Sequence, residues 1–430
     1  MLTHYRWFTA DDTKNAPNRN PTAWRLQASN DNVTWTDLDV VTGATPTSAN
    51  KTLAYTGYPN TNLGGDGSEL HIEVAEGTCQ TNSTVTFAGR LKLVKDGTGV
   101  LVFSKSGQTY GGGTLVAEGT LKPGLSLLDD VSIFGAANST MTVTEGAQFM
   151  DDVFCLGETA YLDWVVAGDG PDGTGAIRAT ARTPGRNNAE VAWGRSLTLM
   201  GDATIGSDEY AFDFIAPNYI PFPITLNGHA LTLTSARPMN ERQYPFFLAS
   251  SLKGPDAGTI VVGDNLCFYP FKLDASALPE VTLVVSANAE YRTGTDSNAR
   301  DLTVSNLVYR SESTISQTAH LTTVLGTYTP TSTTSAPKVQ LGDAEHLSVG
   351  LDLSERTTEF DVAFGGGFTF TEGSCVKVNL GTRRRRQSER LVAWTEKPVG
   401  VTFTGETLRD RFIVRDDGLY AVRGTMIIIR

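Results

Sequence analysis

The side chains best suited to acid–base work are four pairs of adjacent aspartates, Asp11/Asp12, Asp129/Asp130, Asp151/Asp152 and Asp416/Asp417. A working acid and base must converge on one bond, whereas neighbours on an extended strand point to opposite faces, so none of these pairs is by itself a catalytic couple. The histidines, His4, His71, His229, His320 and His346, stand singly. No H-E-x-x-H metal motif, G-x-S-x-G elbow or phosphate-binding loop accompanies them, and isolated polar residues on a β surface are the expected reading. Cys79, Cys155, Cys267 and Cys375 are widely separated along the chain. They lack the C-x-x-C spacing of a zinc or redox site and are expected to be buried, unpaired and structural.

Two Gly/Asp stretches, Gly64–Glu69 and Gly168–Gly175, resemble single fragments of calcium-binding loops. Calcium takes about six to eight oxygens and a calcium roll needs its motif in tandem, so ordinary turns are expected, with no metal and no cofactor. The run Arg383–Arg386 invites a cleavage or polyanion-binding role, but Glu389 follows it and the chain is acidic. A solvated loop is the expectation. Polysaccharide-degrading β-helices gather their carboxylates and cations from successive coils, so an enzyme of that kind would leave no local motif.

The chain of 430 residues carries 35 Lys+Arg against 47 Asp+Glu, a net charge of −12, with 40% hydrophobic residues and 43 Gly. That excess of negative charge argues against nucleic acid or an anionic membrane surface as the main partner. No apolar window is long enough to span a bilayer as a helix, and membrane insertion by this chain is not expected. Met1–Trp7 lacks the basic start, apolar centre and small-residue cleavage site of a secretory signal, and the first residues read as a strand in mid-domain. An internal start is expected.

The elements that must position any site are strands. Val, Ile, Thr, Leu, Phe and Tyr alternate with small polar residues over four to eight positions, punctuated by Gly, Asn or Asp, as in Leu91–Lys95 and Val100–Phe103 around Asp96-Gly97-Thr98-Gly99. Helical periodicity is almost absent; the best candidate, Arg383–Trp394, reads equally as a strand after a loop. A loose phrase recurs: Gly113–Leu121 places two short strands either side of Gly119, with variants at Met141–Ala147, Leu197–Ile205, Ile224–Leu233 and Gly258–Asp264. Each unit is too small for its own core, and stacking such units makes one. The pattern predicts a parallel β-solenoid, with a pair of antiparallel sandwiches as the competing architecture.

Gly97–Ser104 followed by Gln108–Leu121 resembles the autotransporter-associated β-strand repeat, G-x-G-x-L-x-L then N-T-Y-x-G-G-T-x-V-x-x-G-T-L, with Gln108 in the Asn place. The resemblance implies a secreted or surface-displayed right-handed parallel β-helix serving as a stalk or adhesin passenger. Near the start, Arg19-Asn20-Pro21-Thr22-Ala23-Trp24-Arg25-Leu26 and Ser29-Asn30-Asp31-Asn32-Val33-Thr34-Trp35-Thr36-Asp37-Leu38 are similar to the later half of a discoidin-like (coagulation-factor type C) domain. Asn20 replaces that family's usual Asp, and Ala28 and Asn32 replace two Gly. This second resemblance implies a partial β-sandwich whose loops bind carbohydrate, lipid headgroups or protein, with Trp24, Arg25, Asn30, Asp31 and Trp35 as the carried-over ligand-binding residues. Trp24 and Trp35 are also of the type that packs inside a sandwich.

The expected chain is all-β: a discoidin-like segment over 1–56, a β-helical stalk over 57–330, and a β-rich C-terminal module over 331–430, where Asp417-Gly418 marks a hairpin that would cover the solenoid's open end. The expected function is non-enzymatic display or adhesion at the cell surface or outside the cell, with glycans as partners. The alternative is a β-helix polysaccharide lyase or glycoside hydrolase. Three or more Asp, Glu, Lys or Arg on one exposed face of adjacent coils would favour the enzyme, and a face of Thr, Asn and Ser the stalk.

Overall fold

The computed structural model describes residues 5–28, 33, 35–57, 69–124, 133–136, 139–151, 162–180, 194–208, 211–214, 222–236, 246–249, 252–253, 256–264, 266–269, 277–287, 289–291, 301–310, 314–315, 321–330, 338–354, 368–382, 388–394, 396–406 and 410–423. The chain is all-β, and Pro17–Arg19 is the sole helical turn among the described residues. From Glu69 onward the strands stack as a parallel β-solenoid, which excludes the antiparallel-sandwich alternative for this region.

Each coil lays one strand on a first face and, after a corner, another on a second. On the first face Glu69–Glu73, Lys92–Asp96, Thr114–Val116, Thr140–Val143 and Leu162–Gly168 pair in succession. On the second, Cys79–Asn82, Val100–Phe103, Thr120–Pro123, Gln148–Asp151 and Ile177–Ala179 do the same. A further parallel ladder, from Ala211–Phe214 to Thr314–Ile315, forms a third face in the later coils. Coil length is uneven: the coil that carries Leu93 round to its stacked partner Thr114 is short, and the one that carries Trp164 round to Leu197 is half as long again.

Like side chains stack in register. Leu231, Ile260, Leu283, Leu307, Tyr328, Leu351 and Val378 form one inward column, each at most 2% exposed. Such burial contributes roughly 1.5–3 kcal/mol per large apolar side chain. In the early coils the interior carries an aromatic file, with ring centroids 5.9 Å apart for Phe103 and Phe134, 5.4 Å for Phe134 and Phe149, and 5.1 Å for Phe149 and Trp164. Corners need a backbone that side chains resist. Gly119, between its two strands as the repeat phrase implies, has φ +65°, and a Cβ there would lie 2.5 Å from the Gly99 carbonyl oxygen of the coil beneath.

Among the polar side chains buried in the described residues, two show how the interior accommodates them. Lys95 stands in the inward column of Ile72 and Val116 and is 0% exposed. Its Nζ donates to the carbonyls of Asp96, Gly97 and Glu118 at 3.0, 2.5 and 2.9 Å, so one ammonium ties two coils at a corner, and burial pulls its pKa down. Gln108, also 0% exposed, accepts from the Phe87 N–H at 2.6 Å and donates to the Val85 and Lys105 carbonyls, both at 3.0 Å.

The ladder does not stop at residue 330. Tyr328 stacks on Leu351, Leu351 on Val378, and Val376 on Phe403, so the boundary drawn at 330 falls inside the solenoid. An antiparallel sheet then follows, in the order Glu389–Ala393, Gly418–Arg423, Asp410–Arg415. Glu389–Ala393 is strand, settling the described part of the ambiguous segment, and the hairpin expected at Asp417-Gly418 turns one residue earlier, at Asp416–Asp417, with Gly418 opening the next strand. The inner face of this sheet, with Leu391, Val392, Trp394 and Leu419, belongs to the same hydrophobic core as the coils. Near the N-terminus two antiparallel pairs are present, Tyr5–Phe8 with Leu53–Gly57 and Trp24–Ala28 with Thr36–Val41.

Candidate functional site

The polar groups that successive coils bring together fall into two sets. The first is consumed in clamps between coils. Arg178 binds Asp208 through Nη2 at 2.8 Å and Nε at 3.3 Å, and reaches Asp172 through Nη1 at 3.0 Å. Arg195 binds Asp163 at 2.6 and 3.2 Å, with Ser196 donating to the same carboxylate at 2.6 Å. Asp172 lies in the Gly168–Gly175 stretch, where it accepts from the Thr174 N–H at 3.1 Å and hydroxyl at 2.5 Å. Its pKa is lowered: these hydrogen bonds and Arg178 outweigh the opposing effect of burial, itself the largest single influence. The carboxylate is spent on its own loop, and no cluster of three or more metal-ligating residues occurs among the described residues.

The second set lines a groove of about 450 Å³ at the corner between the first and second faces. Four consecutive coils supply Glu145, then Gly168 and Asp169, then Asp202 and Thr204, then His229 and Thr232. Gly168 makes the stacking possible: its φ is +84°, and a Cβ there would lie 2.8 Å from the Glu145 Cα. Asp202 accepts from the Ala230 N–H at 2.9 Å and lies 3.6 Å from the His229 Nδ1. The three carboxylates are exposed, Asp202 to 79% of its side chain. What the groove offers directly is anionic contact with a cationic or hydroxyl-rich ligand.

The residues singled out near the N-terminus are only partly brought together. Trp24 is half-buried, set edge-on against Trp7 at 5.5 Å and Tyr55 at 4.7 Å. Arg25 pairs with Asp37 at 3.2 Å. Trp35 is 54% exposed and precedes Thr36, which pairs with Ala28, at the opposite end of the two-stranded sheet from Trp24 and its partner Val41. The two indoles therefore do not share one flat platform. Asn30 and Asp31 lie outside the described residues, as do His4, His320, Asp129, Asp130, Asp152, Cys155, Gly64–Ser68 and Arg383–Arg386. Asp12 pairs with Arg19, Asp11 with Lys51 and Asp416 with Lys397, so the adjacent carboxylates serve separate ion pairs.

The expectation of buried cysteines needs correcting. Cys267 is buried, but Cys79 and Cys375 are free and exposed. Cys79 stacks beside Val100 in the outermost coil and Cys375 between Ser348 and Thr402, so neither is enclosed by the core. The groove itself was missed as a site, although its signal was present: aligning the repeat phrases on their glycines sets Glu145-Gly146, Gly201-Asp202 and Gly228-His229 at one corner. No family model, curated protein or solved structure matches the chain.

Proposed function

We propose that this chain is a non-enzymatic stalk displayed at the cell surface or secreted, related to autotransporter-associated repeat proteins and meeting glycans through its discoidin-like N-terminal part. The observation that carries the reading is the outward surface of the second face. Thr259, Thr282, Asn306 and Thr327 form one outward column there, and Thr232, Val261, Val284, Val308 and Thr329 the next. Over these coils the surface is uncharged, with charge returning only at Arg178 before them and at Asp352 and Lys377 after them, and its groups bond along the ladder: Asn306 donates to the Thr282 hydroxyl at 3.0 Å and accepts from the Thr327 N–H at 2.8 Å. Such a face stiffens a rod and offers no acid, base or nucleophile. Incubation with a panel of neutral and acidic polysaccharides, followed by reducing-end and unsaturated-product assays, tests the reading. No turnover is expected; product formation sinks it.

The groove favours a second reading, a β-helix polysaccharide lyase or hydrolase, because three carboxylates on adjacent coils meet a histidine there. Glu145→Gln and Asp202→Asn discriminate between the readings. Turnover abolished by either establishes the enzyme, whereas an inert parent chain leaves the groove without catalysis.

A further inference from the structure

The outer face of the C-terminal sheet departs from the charge pairing seen elsewhere. On Asp410–Arg415 the side chains alternate, with Phe412 and Val414 packed on the core while Arg411, Ile413 and Arg415 are exposed. Register puts Ile413 beside Tyr420, and Tyr420 beside Arg390 on the next strand, so these residues share one surface. The acidic groups at its margin are engaged: Asp416 by Lys397 at 3.3 Å, and Asp417 by Arg390 at 3.4 Å and by the Tyr420 hydroxyl, which donates at 2.7 Å. Arg411 and Arg415 have no carboxylate partner among the described residues, unlike Arg19, Arg25, Arg178, Arg195 and Arg390. On a chain of net charge −12, two guanidiniums without a carboxylate partner among the described residues on one strand face are a local exception to its acidic surface.

Their chemistry narrows the partner. The Arg415 guanidinium lies 4.4 Å above the Tyr420 ring centroid. This cation–π contact restrains the guanidinium through the ring face, and its N–H fork can still grip a carboxylate or sulfate through two parallel hydrogen bonds. Arg411 and Arg415, four residues apart on one strand, stand about 13 Å from each other. Ile413, 43% exposed, lies between them as an apolar step. Two separated cations with an apolar floor match a sparsely charged polymer whose rings can rest on that floor. The acidic body repels a densely charged phosphate polymer or an anionic bilayer at long range.

We propose that the outer face of this terminal sheet, through Arg411 and Arg415, binds an acidic polysaccharide bearing carboxylate or sulfate groups. This surface is distinct from the N-terminal sheets and from the corner groove, and its binding requires neither.

The test is affinity electrophoresis of the full chain in gels containing hyaluronate, chondroitin sulfate or neutral dextran. A background in which Arg383–Arg386 are glutamines removes that run as a source of binding. Retardation by both acidic polymers and not by dextran is expected, weakening with salt. Arg411→Ala with Arg415→Ala should weaken it by at least about tenfold. Arg411→Lys with Arg415→Lys, which keeps the charge and loses the fork, should give an intermediate loss, and thermal melts of all variants should coincide. Absence of retardation in the glutamine background overturns the proposal, as does retardation indifferent to the alanine pair. Tighter binding to single-stranded DNA or to phosphatidylserine vesicles than to the acidic glycans overturns it as well.

Discussion

At the C-terminal end of the ladder an antiparallel sheet lays Trp394 against Phe370 and Phe403, with ring centroids 6.0 and 6.2 Å away. At the other end, among the described residues, no strand pairs with the outer edge of Glu69–Glu73, whose alternate residues Glu69, His71 and Glu73 are exposed. Charge reaches from that edge to the next coil through Lys92 to Glu69 at 2.8 Å and His71 to Asp96 at 2.5 Å, while His71 also lies 3.3 Å from Glu69 on its own strand. One end thus gains stability from an apolar lid, while the other gains mainly protection, because charges on an open edge discourage pairing with another chain. A stack of coils has to be finished twice, and the two solutions should fail differently.

The largest effect is expected at the lid. Trp394→Ala removes a side chain that is 6% exposed and should cost about 3–5 kcal/mol, with amide exchange rising first in Cys375–Asn379 and Thr402–Gly405. Equal acceleration at both ends would show that the lid does not act locally. Next is Lys95→Met, which keeps the apolar stem near the other end but orphans three carbonyls; a loss of about 1–3 kcal/mol in denaturant unfolding is expected. No loss would mean that water replaces the ammonium. The triple change Glu69→Thr, His71→Val and Glu73→Thr should alter stability by less than about 1 kcal/mol yet raise the mass measured by light scattering as concentration increases. An unchanged mass relative to the parent would deny the charges their protective role.

The smallest effect is the pH response of the open edge. The Asp96 carboxylate bonded to His71 raises the imidazole pKa above 6.5, Glu69 adds to this, and partial burial opposes it; Glu73 and Lys92 are the other charged groups facing it. A raised folded-state value means that the contribution is complete below the unfolded pKa and is lost as pH rises through the folded one. The site is mostly exposed, so about 0.5 kcal/mol or less is expected. Exchange at Leu70 and Ile72 should be faster at about pH 8 than at about pH 5 after correction for intrinsic rates, and His71→Gln should remove the difference. A difference that survives the substitution would assign the response to another group.

The solenoid was legible where the physics is local. Gly119 between two short strands, and the repeated Leu-Thr-Leu phrases, announce corners and inward columns because alternation and positive φ leave marks on a few consecutive residues. What joins coils leaves no such mark. Arg178 and Asp208 are 30 residues apart, and Arg195 and Asp163 are 32, with coil length varying between them. Lysine is usually a surface residue, and only the register of Lys95 with Ile72 and Val116 reveals that it faces inward. Irregular spacing likewise hid the continuation past 330, where the coil from Leu351 to Val378 is longer than the one from Tyr328 to Leu351. The corner groove falls between these cases, since its residues adjoin recognisable glycines but meet only through stacking.

The direction of the hydrogen bonds between coils has a mechanical consequence. They run from each coil to the next, along the stack, so tension applied between its two ends loads one rung at a time rather than the whole ladder in shear. Yielding should then come in steps, each freeing one coil, with the shortest release where Leu93 meets Thr114 and a longer one where Trp164 meets Leu197. At about 3.4 Å per extended residue, coils of roughly 20 to 30 residues lengthen the chain by roughly 70–100 Å at each step. Pulled in this direction the molecule is a tether that lengthens by instalments, and force spectroscopy would read its coil lengths as the spacing between successive peaks.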